Sequence, residues 1–257
     1  MPASDLPLLI EAAEAGAQTA MRFWKTGQSV WHKEEGAGPV SEGDYAVDRL
    51  LHEHLRTARP DYGWLSEETP DGPDRLNRCR VFVVDPIDGT RAYVEGHENW
   101  ALSLAVVEDG RPTAGVVAMP AKGRVYAAAF GQGATRDGTA IHCSDRADLA
   151  GATLMAPRPS LDPAHWPGGV PPVERRFRPS LAYRLALVAE GRYDAMLTLR
   201  AVWEWDVAAG ALIAAEAGAS VTDRWGQPLI LNSPDGRTPG VLAAGPSMHA
   251  ALLARMT

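Results

Sequence analysis

The segment with the clearest chemistry is an apolar strand that runs from Val81 into two carboxylates, a glycine and a threonine. Asp85 and Asp88 follow the apolar residues, at a predicted strand end where open sheets bind ligands. A single Asp at such a position is commonly a turn or helix cap. Two Asp residues flanking a proline, followed by the backbone N–H groups of Gly89 and Thr90 at a predicted helix start, indicate a site for a hard cation and a phosphate.

Two other segments carry acids in comparable positions. Asp206 opens an alanine-rich run that ends near Gly218, and the alternative interpretation is a helix N-cap. Glu67 and Glu68 follow the apolar residues Trp64 and Leu65, and the alternative there is an exposed loop.

Hard divalent cations bind several oxygen ligands that converge from separate chain segments. The three segments together supply such a set, namely Glu67, Asp85, Asp88 and Asp206. The sequence therefore predicts a shared metal site.

The order and spacing of these acids resemble the inositol monophosphatase family, within the superfamily of magnesium-dependent, lithium-sensitive phosphatases. The resemblance rests on four segments: Ser66-Glu67-Glu68, Asp85-Pro86-Ile87-Asp88-Gly89-Thr90, Trp205-Asp206-Val207-Ala208-Ala209-Gly210 and the upstream Pro39-Val40-Ser41-Glu42-Gly43-Asp44. It implies a layered αβαβα sandwich and an enzyme that hydrolyses phosphate monoesters with two or three Mg²⁺ ions. It also implies inhibition by lithium.

The resemblance assigns the ligands of two ions. Glu67, Asp85 and the backbone carbonyl of Ile87 would hold the first ion. Asp85, Asp88 and Asp206 would hold the second, so that Asp85 bridges the two.

The resemblance gives Thr90 a catalytic role. Its hydroxyl would orient the attacking water together with an acidic partner, which is either Asp44 or Glu67. The N–H groups of Gly89 and Thr90 would bind the phosphate. The alternative for Thr90 is an ordinary helix cap.

The branch of the family is indicated by two segments. Leu65 to Glu68 and Asp88 to Tyr93 look like the bisphosphate nucleotidase branch, which acts on 3'-phosphoadenosine 5'-phosphate. The span from Thr198 to Val202 has no Asp or Glu, whereas inositol-selective members carry an acid shortly before the Trp-Asp element. The predicted substrate is therefore the bisphosphate nucleotide. An inositol monophosphatase, a histidinol phosphatase and a non-catalytic phosphate-ligand binding protein are the alternatives.

A basic cluster offers contacts for a second phosphate on the substrate. It comprises Arg158, Arg175, Arg176 and Arg178, and the forked donors of arginine suit phosphate. The alternative is a solvated loop.

Composition narrows the class of protein and its partners. The chain has 257 residues, 46% of them hydrophobic, which is enough for a substantial core. A net charge of −7 argues against binding to a nucleic acid polymer. Two distant cysteines favour a reducing, cytoplasmic setting. No apolar run suits a membrane span or a secretion signal, so we expect no membrane association. A homodimer is compatible with the sequence.

Hydrophobic periodicity predicts an α+β first half and an α/β second half. Residues 1–147 would form an N-terminal α+β domain carrying most metal ligands, and residues 148–257 a C-terminal α/β domain carrying Asp206 and the substrate contacts. The predicted helices span 5–25, 44–57, 180–190, 206–217 and 246–256. The predicted strands span 80–84, 101–107, 113–119, 124–130, 153–156, 195–199 and 240–244, with a long irregular connection over 157–179.

Overall fold

The computed structural model describes residues 5–32 and 38–256, in which two central sheets alternate with layers of helices. None of the helices in these ranges combines the length and the apolar character that a membrane crossing requires.

The larger sheet has seven strands, in the spatial order β3-β4-β5-β6-β7-β8-β9. All neighbouring pairs are antiparallel except β3 and β4, as the short turn signals between successive strands predict. The strands are β3 (Gly63–Ser66), β4 (Arg80–Asp88), β5 (Ala101–Glu108), β6 (Arg111–Met119), β7 (Arg124–Ala129), β8 (Ala134–Arg136) and β9 (Thr139–Ile141). A separate small hairpin pairs β1 (Val30–His32) with β2 (Pro39–Ser41).

One face of this sheet is covered by two long helices, α1 (Leu6–Phe23) and α2 (Glu42–Ala58). Their apolar positions recur at helical spacing, so Leu9 of α1 and Leu51 of α2 are fully buried against strand residues such as Leu102. The short helix α3 (Thr90–Val94) follows β4 directly.

The other face is covered by α4 (Leu181–Ala189) and α5 (Glu204–Glu216). The small residues of α5 permit close approach on two sides. A Cβ on Gly210 would lie 2.7 Å from Leu185 Cβ of α4, and one on Gly115 of β6 would lie 3.0 Å from Ala209 Cα. The Ala-Ala-Gly run therefore sets the position of α5, and with it the position of Asp206 in its first turn.

The second sheet has five strands in the order β11-β10-β12-β16-β14. Its strands are β10 (Thr153–Met155), β11 (Glu174–Arg176), β12 (Ala195–Thr198), β14 (Ser220–Thr222) and β16 (Val241–Ala244). One face packs on α4 and α5, and the opposite face packs on α6 (Pro246–Met256). A two-stranded pairing of β13 (Val202–Trp203) and β15 (Arg237–Thr238) lies apart from it.

The order helix layer, sheet, helix layer, sheet, helix confirms the predicted layered αβαβα sandwich. The connection over 157–179 is less irregular than predicted, because it contains β11 and two single-turn 3₁₀ helices. Since α4 and α5 pack on both sheets, one core joins the two halves. The division between residues 147 and 148 stays a prediction.

Candidate active site

A β-bulge at the end of β4 brings its two aspartates to the same side. Asp85 is opposite Ser103 of β5 and Asp88 is opposite Ala101, so three steps on β4 match two on β5. In a regular strand, residues three apart point to opposite faces, and one extra residue reverses that. Pro86 has no backbone N–H, so the bulge leaves no donor of this residue unpaired. The next N–H, that of Ile87, donates to Asp85 Oδ1 at 2.9 Å. The predicted strand at 80–84 thus continues through the aspartates.

The N-terminus of α4 holds Asp88 in place. Asp88 Oδ2 accepts hydrogen bonds from Ser180 Oγ at 2.7 Å and from the Ala182 N–H at 2.6 Å. Ser180 is also the N-cap of α4, since its hydroxyl oxygen accepts the Tyr183 N–H. One carboxylate oxygen of Asp88 is therefore fixed by the helix, which leaves the other for the cleft.

The first turn of α5 brings Asp206 to the same place. The Ser103 hydroxyl donates to the Trp205 carbonyl at 2.8 Å, which ties this turn to β5 opposite Asp85. The fully buried Glu204 accepts two backbone N–H groups, from Asn232 and Ser233. Asp206 lies in the first turn after the N-cap Trp203, so it is not the N-cap itself.

The three aspartates form a compact acidic cluster. Asp85, Asp88 and Asp206 each place a carboxylate oxygen within 4.8 Å of the others. Burial raises the pKa of Asp88 to about 6 and the pKa values of Asp85 and Asp206 well above the usual range. Repulsion from nearby carboxylates adds to each shift, from Glu67 in the case of Asp88. Repelling oxygens that converge from three segments are the donor set of a hard divalent cation. The residues present therefore fit Mg²⁺.

Glu67 lies at the edge of this cluster. It follows β3, is half-buried, and its charge contributes to the raised pKa of Asp85, Asp88 and Asp206. The segment that carries it is fixed by Asp48 of α2, whose carboxylate accepts the hydroxyls of Ser66 and Thr69.

Of the two predicted acidic partners of Thr90, Asp44 is the one within hydrogen-bond distance of its hydroxyl. Thr90 Oγ1 lies 3.0 Å from Asp44 Oδ1 and 3.2 Å from the Ile87 carbonyl oxygen. Asp44 Oδ2 accepts both the N–H and the hydroxyl of Ser41 in a capping box at the start of α2. Burial is the main cause that raises the pKa of Asp44 to about 6.

The turn between β4 and α3 requires glycine. Gly89 has φ +99°, and a Cβ there would lie 3.3 Å from the carbonyl oxygen of Asn99. Gly89 and Thr90 both line the cleft that contains the acidic cluster.

Comparison with known proteins identifies the family of this chain. The profile of the inositol monophosphatase family matches residues 3–257. The chain belongs to this family. One curated relative, the inositol-1-monophosphatase of Rhizobium meliloti (strain 1021), is 32% identical to this chain, and the alignment covers 86% of each of the two chains.

Other similar proteins have different names. The histidinol-phosphatase of Chlorobaculum parvum is 30% identical, over 97% of this chain and 95% of its own. The 3'(2'),5'-bisphosphate nucleotidase CysQ of Escherichia coli (strain K12) is 29% identical, over 74% of this chain and 78% of its own. A solved structure of a Thermotoga maritima IMPase superposes with a TM-score of 0.82 at 27% identity, covering 100% of this chain and 97% of its own.

The family and these relatives show that the chain is a phosphoric monoester hydrolase of a metal-dependent class that acts on small phosphorylated substrates. The comparisons favour the enzyme over the alternative of a non-catalytic phosphate-ligand binding protein.

The four arginines that the sequence predicts to contact the substrate do not line the cleft. Arg175 donates to the Ala156 carbonyl, Arg176 pairs with Glu174, and Arg178 donates to the Phe177 carbonyl and the Tyr193 hydroxyl. Arg158 is exposed in a 3₁₀ turn whose neighbouring residues line the cleft while Arg158 does not. Other arginines occupy the cleft wall, namely Arg91, Arg184, Arg200, Arg224 and Arg237.

Ser180 and Ser103 are the positioning residues that sequence reasoning missed. The signal for Ser180 was present, because a serine directly before a predicted helix is an N-cap pattern. Nothing in the sequence marks Ser103, whose partner is a backbone carbonyl 102 residues away.

Proposed function

We propose that this chain is a Mg²⁺-dependent phosphomonoesterase in which the Thr90–Asp44 pair orients the attacking water. The observation that carries the proposal is the 3.0 Å contact between Thr90 Oγ1 and Asp44 Oδ1, together with a cluster of three carboxylates, of which Asp85 and Asp88 are buried.

The acidic residues have the chemistry to hold two or three ions. Glu67, Asp85 and the Ile87 carbonyl would hold one, and Asp85, Asp88 and Asp206 another. When bound, Mg²⁺ supplies positive charge to the phosphoryl and leaving oxygens and makes a neighbouring water more acidic.

The protein's own groups position that water. The Thr90 hydroxyl has a single proton, which it donates to Asp44 when that carboxylate is ionised, so its oxygen is left to accept a hydrogen bond from the water. A pKa of about 6 allows Asp44 to accept a proton near neutral pH, passed from the water through the hydroxyl. The water oxygen then bonds to phosphorus as the ester P–O bond breaks, and the leaving oxygen takes up a proton from solvent. The N–H groups of Gly89 and Thr90 would bind the phosphate.

The proposed substrate is 3'-phosphoadenosine 5'-phosphate. Similarity to the nucleotidase CysQ and the guanidinium groups in the cleft wall support it. Inositol monophosphate and histidinol phosphate have equal support from the named relatives.

The test is initial-rate hydrolysis of p-nitrophenyl phosphate with Mg²⁺ and with a chelator, followed by the three named substrates. We expect turnover only with Mg²⁺ and the highest kcat/KM for the bisphosphate. Lithium chloride should inhibit more than sodium chloride at equal ionic strength, because Li⁺ is a small hard cation that competes for oxygen ligands without supplying the second charge. Equal turnover with the chelator would refute metal dependence.

A further inference from the structure

A buried arginine lies between the two chain segments that carry Glu67 and Asp206. This residue, Arg75, belongs to the 3₁₀ helix Pro73–Asn77 and is only 2% exposed. A guanidinium removed from water is costly to the fold unless its N–H groups are paired. Arg75 does not line the cleft, so any effect that it has on the site passes through the groups that it contacts.

One side of Arg75 holds the segment that carries Glu67. Arg75 Nε and Nη2 donate to the two carboxylate oxygens of Asp71 at 2.7 and 2.8 Å, which makes a bidentate pair. Asp48 holds the start of the same segment through two hydroxyl groups. Glu67 therefore lies in a loop that is anchored at both ends, and Arg75 provides the second anchor.

The other side of Arg75 holds the loop that supports the first turn of α5. Arg75 Nη1 donates to Asn232 Oδ1 at 2.7 Å, and Asn232 Nδ2 donates back to the Arg75 carbonyl oxygen at 3.5 Å. The backbone N–H of Asn232 donates to Glu204 Oε2 at 2.6 Å. Glu204 is the first residue of α5, two positions before Asp206. Arg75 is thus connected to the segment of Asp206 through Asn232 and Glu204.

The loop after Asn232 is joined to Glu204 at further points. The backbone N–H and the hydroxyl of Ser233 donate to Glu204 Oε1 at 2.9 and 2.5 Å, and the Glu204 N–H donates to the Gly236 carbonyl at 2.9 Å. Asn232 itself has φ +59°, a left-handed conformation that asparagine adopts more readily than most residues. A displacement of Asn232 would therefore be transmitted to the start of α5.

We propose that Arg75 is a positioning residue that fixes the spacing between Glu67 and Asp206 and so raises the affinity of the site for Mg²⁺. Like charges that converge on one point repel each other, so the metal-free acids stay close only if their segments are held. Groups that orient metal ligands typically change metal affinity or activity by about 10- to 100-fold when they are replaced. The inference rests on the proposed function for the identity of the metal ligands.

The test measures Mg²⁺ binding without substrate. Urea unfolding is followed at increasing Mg²⁺ concentration: the free energy of unfolding without Mg²⁺ reports stability, and its rise with concentration gives the apparent dissociation constant. We expect Arg75→Gln to raise this constant by about tenfold. Arg75→Lys should recover little of the loss, because a compact ammonium cannot contact both oxygens of Asp71 and the amide of Asn232 at once.

A milder variant separates the connection to α5 from the burial of Arg75. Asn232→Gly removes the amide that Arg75 contacts, but glycine tolerates the left-handed φ and keeps the N–H that donates to Glu204. It should raise the apparent dissociation constant in the same direction, by about threefold. If Arg75→Gln fails to fold, the result of Asn232→Gly decides the proposal alone.

Two controls match these changes outside the site. Arg80→Gln removes the same charge from a half-buried arginine that pairs with Glu108 at the far end of β4. Asp137→Gly removes one side-chain hydrogen bond, to the Val125 N–H, at a residue with φ +51°. Both controls should lose stability and keep the apparent dissociation constant of the unaltered chain.

Three results would overturn the proposal. The first is an unchanged dissociation constant in Asn232→Gly and in a folded Arg75→Gln, and the second is an equal change in these variants and their controls. The third is full recovery of affinity by Arg75→Lys, which would reduce the role of Arg75 to its charge. Failure of the proposed function would appear separately, as absence of Mg²⁺-dependent stabilisation and of Mg²⁺-dependent p-nitrophenyl phosphate hydrolysis in the unaltered chain.

Discussion

The acidic cluster and the arginines of the cleft wall differ in how the sequence encodes them. Asp85 and Asp88 belong to one short segment that also forms the bulge exposing them, and buried strand and helix residues surround them. Four of these arginines, Arg184, Arg200, Arg224 and Arg237, come from separate segments. Three of them, Arg184, Arg224 and Arg237, each lie over a different aromatic ring. The aspartates of the acidic cluster lie on a strand and at a helix start, whereas the four arginines are spread over a helix, a two-residue strand and two loops.

The largest expected effect is that of Asp88→Asn on the acidic cluster. Removing one of three converging charges weakens cation binding, and we expect kcat/KM to fall on the order of 10³-fold or more. The fold should persist, because the Asn oxygen can still accept from Ser180 and Ala182. Steady-state kinetics over a Mg²⁺ titration measures the effect, and circular dichroism checks the fold. Undiminished turnover would remove Asp88 from the site.

The Asp88→Asn variant also tests the acidic cluster through the pH dependence of its stability in the absence of metal. The pKa of Asp88 is raised in the folded state to about 6, so the folded protein binds more protons than the unfolded chain between about pH 4 and 6. The stability of the metal-free protein is therefore greatest below this window and is lost as pH rises through it. We expect Asp88→Asn to become more stable than the unaltered chain by about 2 kcal/mol as pH rises from 4 to 7.

That difference is measured by urea unfolding in the presence of a chelator. Asp85 and Asp206 add to the difference in the same direction, because loss of the Asp88 charge also reduces the upward shift of their pKa values. If the free energy of unfolding of the variant, relative to the unaltered chain, decreased as pH rises, the raised pKa of Asp88 would be contradicted.

A smaller effect is expected for Gly89→Ala. The left-handed φ and the nearby Asn99 carbonyl should cost about 1 to 2 kcal/mol of stability, and displacement of Thr90 should also lower kcat. Gly138→Ala is the control, since Gly138 has φ +77° with open space around it and lies in the turn between β8 and β9. It should lose comparable stability and keep its kcat, as thermal unfolding and kinetics can show. Equal kcat losses would indicate a general effect of strain.

Sequence predicts the local parts of this molecule better than the distant ones. The helices at 6–23 and 246–256 and the strands β4, β5, β6, β7, β10, β12 and β16 follow from periodicity, whereas the three-residue strands β8, β9, β11 and β14 were not predicted. The metal-site segments follow from carboxylates at element ends. The arginine contacts could not be predicted, because Arg158 and Arg178 differ from Arg224 and Arg237 only in where the fold places them. The choice of Asp44 over Glu67 as the partner of Thr90 likewise depends on how α2 packs beside β4.

The most direct test of the account is a side-by-side measurement of kcat and KM for 3'-phosphoadenosine 5'-phosphate in Thr90→Val and Arg237→Gln. Thr90→Val should lower kcat by roughly 10²- to 10⁴-fold with little change in KM, because it removes the group that orients the water. Arg237→Gln should raise KM by more than it lowers kcat, because its contact is present before and during the reaction. If Thr90→Val keeps its kcat, or if both variants change kcat and KM in the same proportion, the division between a catalytic acidic cluster and a substrate-selecting set of arginines is contradicted.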